Sequence, residues 1–316
     1  MTKDWGSRIG RRLKLRDLHI FFAVVQWGSM AKGSKHLGMS QPAVSEVIAN
    51  LEATVGVRLL DRSPRGVEAT IYGQALLKRG HVAFDELKQG MRDIEFLAHP
   101  TVGEVRIGCP DSLAAGLLPP IIDRLSRRYP QVVVHVINAQ TARQEFRELR
   151  ERSVDLMLGR ILKPVVDEEI DVQTLCDDKL VVVADAGSRW AHRRKITFAE
   201  LINEPWILYA PDYGIGAFIR EGFRANGLEV PRESVTSYSL HVRLHLLATG
   251  RFLTILHGSV LKYNAKRWSL KALPIDLGLP PIPIAIFTLK NRTLSPVVQL
   301  FVEQAKAVSK SRIKFD

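Results

Sequence analysis

Residues 30–63 read MAKGSKHLGMSQPAVSEVIANLEATVGVRLLDRS. Two helical patterns stand three residues apart here, about Met30 to Leu37 and about Gln41 to Val55, with "GMS" as the turn between them and Gly56 as the stop. Ser40 is a natural N-cap. Pro42 fits the first turn, where the amide hydrogen it lacks would have no intrahelical partner. The second pattern therefore carries its most polar residues at its start, the end a helix presents to a partner. Upstream, Leu15, Leu18, Phe22 and Val25 recur at spacings of three and four, which predicts a helix closed by Gly28 and Ser29. Downstream, "RLLDRSPRGVEAT" reads as two short extended pieces around a turn at Pro64 to Gly66. Three helices followed by a small hairpin make a winged helix-turn-helix pattern.

That pattern has a chemistry. A helix fits the major groove of DNA and reads base edges from its N-terminal residues, while the preceding helix braces on the backbone. Ser40, Gln41, Pro42, Ala43 and Ser45 are the candidate reading residues: Gln41 can pair with adenine, and Pro42 and Ala43 can meet thymine methyls. Lys32, Lys35, Arg62 and Arg65 flank them as candidate phosphate contacts, which position without reading sequence. Residues 1–80 hold 13 Lys or Arg against 6 Asp or Glu, so much of the chain's net charge of +12 sits where a polyanion would bind.

A longer helix is predicted over about 71–98 with Thr70 as its cap. Its stripe of Leu77, Phe84, Leu87, Met91, Ile94 and Ala98 follows coiled-coil spacing, with Gly80 as a weak position, and predicts pairing with a second copy of the chain. After "HPTVGEV" the composition changes. Runs of strand length ("EVRIGC", "VVVHVI", "VDLMLG", "KLVVVAD", "PWILY", "FLTIL", "IPIAIF") alternate with helical stretches such as Leu113 to Tyr129 and Thr141 to Arg152. This predicts an α/β architecture with largely parallel sheets, in two lobes.

In open α/β sheets ligands bind beyond the carboxyl ends of strands, where helix N-termini converge. Candidate ligand-binding residues follow: Pro110, Asp111 and Ser112 after one strand, Gln140 and Thr141 after the next, and Arg160 after a third. Tyr209, Tyr213 and His241 are the candidates from the second lobe. Ser112 and Thr141 are expected at helix N-termini, favouring an anion, with Arg160 adding a full charge. No G-x-S-x-G, Walker A loop, H-E-x-x-H or dinucleotide fingerprint is present, so no enzyme, cofactor or metal is expected. His241 and His245 have metal-ligand spacing but no third ligand nearby. Cys109 and Cys176 match no zinc or redox motif, and Cys109 reads as a small core residue. No stretch approaches the roughly 20 apolar residues that span a bilayer. With no export signal visible, a cytoplasmic location is expected.

The segment at 28–73, GSMAKGSKHLGMSQPAVSEVIANLEATVGVRLLDRSPRGVEATIYG, resembles the N-terminal domain of LysR-type transcriptional regulators. The family's Gly-Ser turn, S-Q-P-A-V-S, L-E pair and R-x-x-R wing stand there in order. Departures fall at Gly33 and Ser34, usually two alanines, at Leu59 and Leu60, usually Leu-Phe, and at Ile71, Tyr72 and Gly73, usually Pro-Ala-Gly. None touches the reading face. The resemblance implies a winged helix-turn-helix at about 13–70, a linker helix for dimerisation at 71–98, and a two-lobed, periplasmic-binding-protein-like effector domain at 101–316. Lobe one is expected at about 101–177 plus 284–316, and lobe two at about 178–283. The implied partners are double-stranded promoter DNA, a small-molecule effector, RNA polymerase and further copies of the chain, as a dimer of dimers or homotetramer.

Overall fold

The computed structural model describes residue 9 and residues 11–63, 66–99, 102–141, 144–211 and 214–310. It divides into two compact units, residues 1–88 and 89–316.

In the first unit, α1 (Leu15–Trp27), α2 (Met30–Leu37) and α3 (Gln41–Val55) precede the hairpin of β1 (Leu60–Ser63) and β2 (Gly66–Ala69). Each helix ends on a left-handed glycine, Gly28, Gly38 or Gly56, a conformation that a side chain would strain. Ser29 and Ser40 cap α2 and α3, their hydroxyls accepting from the Lys32 and Ala43 amides. Val44, Ile48 and Leu51 turn one flank of α3 into a core with Phe21, Val24, Leu59 and Leu60. Gly33 has a packing reason: a Cβ there would stand 3.1 Å from the Val24 Cα, so α1 and α2 approach backbone to backbone. The Glu52 carboxylate accepts from the Leu59 and Leu60 amides at 2.7 and 3.2 Å, fixing where the hairpin leaves α3. Thr70 accepts from the Gly73 amide and opens α4 (Ile71–Ala98).

In the second unit, one sheet has the order β4-β3-β5-β12-β6 among the described residues, from β3 (Val102–Cys109), β4 (Gln131–Asn138), β5 (Leu156–Arg160), β6 (Ile170–Asp178) and β12 (Ile282–Leu289). The other has the order β11-β7-β10-β8-β9, from β7 (Leu180–Asp185), β8 (Trp206–Leu208), β9 (Glu233–Thr236), β10 (Leu253–His257) and β11 (Leu270–Ala272). These sheets are mixed, which corrects the largely parallel expectation. β12 runs antiparallel to β5 and β6, and β7 antiparallel to β10 and β11. The cause is that the chain passes directly from β6 into β7 at Lys179 and returns between β11 and β12, so the crossing strands enter each sheet from the opposite direction.

Two predicted helices are shorter than expected. The stretch from Leu113 divides into α5 (Asp111–Ala114) and α6 (Leu118–Arg128), because Pro119 and Pro120 lack amide hydrogens and are tolerated only in a first turn. The stretch from Thr141 yields only α7 (Arg147–Arg150): Gln144 and Phe146 adopt left-handed backbone before it and Arg152 after it, and Phe146 is pinned in the core against Phe287. Lobe two carries α8 (Phe198–Leu201), α9 (Gly214–Ala225), α10 (Leu240–Leu247) and α11 (Gly258–Asn264), and α12 (Pro296–Lys310) packs on lobe one. No helix among the described residues is long and apolar enough to cross a membrane.

Candidate nucleic-acid interface and inter-lobe pocket

Burial of Val44, Ile48 and Leu51 turns the opposite flank of α3 to solvent. Ser40, Gln41 and Pro42 are exposed, Ala43 and Ser45 half-buried, and Lys32, Lys35 and Arg62 exposed around them. Arg65 lies outside the described residues. Glu46 and Asn50, four and eight positions beyond Pro42, continue the exposed flank; helical periodicity could have added both.

The α4 stripe divides in two. Leu77 packs on the helix-turn-helix core, and Phe84 sits edge-on to Phe22 at 5.4 Å. Gly80 lies under the same ring, where a Cβ would meet Phe22 Cζ at 2.4 Å. These positions thus serve the chain's own core, which corrects their assignment to a seam between copies. Leu87, Met91, Ile94 and Leu97 are 51 to 77% exposed. Ala98 is exposed as well.

The carboxyl ends of β3, β4, β5, β8 and β10 converge on a pocket of about 380 Å³ between the lobes. Pro110, Asp111, Ser112, Gln140, Thr141, Arg160 and Tyr209 line it. His241 does not; its side chain is exposed, because α10 turns Leu240 and Arg243 inward instead. Tyr213 lies outside the described residues. Sequence reasoning missed Asn138, Leu162, Tyr238, Arg243 and His257. His257 ends a strand as the chosen residues do, and Arg243 stands one helical step beyond Leu240, so both signals were available.

The electrostatics differ from expectation. Arg160 is no free cation: it pairs with the fully buried Asp178 at 2.8 Å, and its Nη1 donates to the Ser112 hydroxyl at 2.8 Å. Asp178 also accepts from the Ser259 amide and hydroxyl. Ser112 is no N-cap, since Pro110 holds that position, and Thr141 opens no helix. Thr141 instead packs into the space left by Gly159, where a Cβ would lie 2.3 Å from its hydroxyl. On the other wall Arg243 is buried at 1% exposure, with its guanidinium 3.8 Å from the Tyr209 ring centre. Nη2 donates to Thr254 and to the Ile255 carbonyl, while Nε and Nη1, both buried, make no hydrogen bond among the described residues. Burial, then Arg160 and Arg243, hold the His257 imidazole well below the usual histidine range and therefore neutral. Burial, followed by Asp111, pushes the Cys109 thiol up to about 11, which keeps it protonated and a poor nucleophile. No cluster of His, Cys, Asp or Glu able to hold a metal occurs among the described residues. A wider depression of about 560 Å³ lies wholly in lobe two, and its Arg189 is matched by Glu204 at 2.5 Å.

Residues 98–310 match the family described as LysR substrate binding domain, and residues 15–74 match the bacterial regulatory helix-turn-helix protein, lysR family. The HTH-type transcriptional regulator GbpR of Azospirillum brasilense is 27% identical over 304 residues, which cover 96% of this chain and 89% of that protein. The Hca operon transcriptional activator HcaR of Escherichia coli (strain K12) is 28% identical over 294 residues, 92% of this chain and 96% of that protein. Among solved structures, CbnR, a LysR family transcriptional regulator, aligns with a TM-score of 0.55 at 23% identity over 93% of this chain and all of that one. Full-length OxyR from Pseudomonas aeruginosa aligns with a TM-score of 0.62 at 18% identity, over 94% of this chain and 95% of that one. These structures speak for the fold.

Proposed function

The chain belongs to the LysR family of transcriptional regulators, and from that premise we propose that α3 reads promoter DNA while a small acidic metabolite in the inter-lobe pocket changes how that DNA is held. As a LysR-type regulator it joins a helix-turn-helix DNA-binding domain to a substrate-binding effector domain. The residue assignments are ours. Gln41, Pro42, Ala43 and Ser45 meet base edges; Lys32, Lys35, Arg62 and Arg65 meet phosphates. The domain limits remain as read from the sequence: DNA-binding at 13–70, linker helix at 71–98, effector domain at 101–316. The exposed part of the α4 stripe, from Leu87 to Ala98, pairs copies into a dimer and, through a second contact, a tetramer. RNA polymerase is the downstream partner, the chain carries out no catalysis, and it works in the cytoplasm.

The observation that carries the effector reading is the inter-lobe pocket itself, which is walled by both lobes and holds two buried arginines, one of which has no carboxylate partner among the described residues. A pocket between lobes joined by crossing strands can couple occupancy to closure. The test uses Ser112→Ala and Thr141→Val. Metabolite fractions that raise the melting temperature of the wild-type chain are assayed for a change in its DNA footprint. Both variants should bind DNA normally without ligand and lose the footprint change. Variants that keep the full change would move the site away from these residues.

A further inference from the structure

We infer that Arg243 is the anion receptor of the inter-lobe pocket, and that the effector is a small monocarboxylate with an apolar body, anchored through its carboxylate on lobe two. The inference rests on reading that pocket as the effector site, and adds the class of molecule and the side from which it is held.

A guanidinium cannot shed its proton at physiological pH, so burying one without a counter-charge is expensive. Arg160 meets that requirement inside the protein, through Asp178. Arg243 does not. It is as deeply buried, no carboxylate lies within ion-pair distance of it among the described residues, and Nε and Nη1 are unpartnered. Tyr209 covers one face of the guanidinium, and Thr254 and Ile255 hold Nη2, so the group is fixed in place with donors to spare. His257, whose Nδ1 makes no hydrogen bond and lies 4.0 Å from the Asp178 carboxylate, lines the same pocket, as do Ser239, the N-cap of α10, and Leu240. A positive helix end beside a fixed, buried cation with two unpartnered donors lacks one thing, a negative charge.

The rest of the lining sets the body of the ligand. Lobe one offers neutral polar groups at Ser112, Gln140 and Thr141, and a carboxylate at Asp111 that would repel a second acidic group. Leu162, Ile215 and Tyr238 supply apolar surface. A monoanion with its charge toward lobe two satisfies both walls; a dianion does not.

The test is isothermal titration of the full-length chain with hexanoate and with hexanamide, which share a chain and differ in charge. Hexanoate should bind the wild type about tenfold more tightly or better, because the amide leaves the buried cation unneutralised. Arg243→Gln should erase the preference, and Leu162→Trp, which fills the pocket and leaves Arg243 in the chain, should abolish binding of both probes. Should Arg243→Gln fail to fold, the wild-type comparison and Leu162→Trp still decide. Equal binding of the two probes, abolished by Leu162→Trp, would overturn the role of Arg243 and leave the pocket reading intact. A hexanoate preference that survives Leu162→Trp would put the anion elsewhere and sink both. A hexanoate preference retained in folded Arg243→Gln, or no hexanoate binding at tens of millimolar, would also overturn the proposal.

Discussion

Gln41 stands exposed at the first position of α3, with Pro42 beside it and Ser40 capping the helix. A side chain there can report a base pair, whereas an exposed cation such as Arg62 can report only a phosphate. Gln41→Ala should therefore weaken binding to a specific site by about 1 to 3 kcal/mol and leave binding to random duplex nearly unchanged. Arg62→Ala should weaken all duplexes alike and flatten the salt dependence by about one unit of slope. Competition titrations on both duplexes across a salt series separate the two effects. His257 makes a different kind of statement, about stability. Its imidazole is held neutral in the folded chain at pH values where the unfolded chain, titrating near 6.5, takes up a proton. Stability that is full above pH 6.5 should thus decline as the pH falls below it toward the depressed folded value. Urea unfolding of wild type and His257→Asn at about pH 7.5 and about pH 5.5 tests this, because the variant should lose less stability over that interval. Equal losses would remove His257 from the acid sensitivity.

Elements show most clearly what a sequence can carry. The helix-turn-helix was legible because its signals are local: serine caps, a proline in a first turn, glycine stops and an apolar flank at helical spacing. The runs of strand length in the effector domain were legible for the same reason. β6 escaped notice because "IDVQTLCDD" mixes polar residues into a strand that is only partly buried. The helix expected from Thr141 failed because burial of Phe146 against Phe287, a contact across 141 residues of chain, overrides local propensity. In α4 the spacing was right, but spacing alone could not say that Phe22 would claim Phe84 and the groove at Gly80. Met91 lies on the part of the stripe left open. Met91→Asp should lower the mass measured by light scattering, since a carboxylate in an apolar seam must be desolvated or drive the helices apart. Unchanged mass and DNA affinity would make the stripe a solvent face. Within β5, Gly159→Ala should force Thr141 toward the pocket and cost about 1 to 3 kcal/mol of stability, read as a lower urea midpoint.

On the scale of the whole molecule, the chain spends its charges differently from what composition suggests. Arg160 was legible as a pocket residue, yet its neutralisation by Asp178, at the crossing from lobe one to lobe two, depends on strands that only the fold brings together. Arg243 was legible by its place on α10, but nothing in a sequence reveals that it is buried with no carboxylate partner among the described residues. Removing Asp178 as Asp178→Ala should cost about 3 to 5 kcal/mol, because it strands Arg160 as a buried unpaired charge at the junction of the lobes. The regulator account stands or falls on DNA recognition. Duplexes enriched by the wild-type chain from a random pool should bind it about a thousandfold more tightly than the starting pool at physiological salt, with affinity falling steeply as salt rises, and Gln41→Ala should cut that margin by about 5- to 160-fold. Enriched and random duplexes bound with equal affinity, or an affinity indifferent to salt, would contradict it.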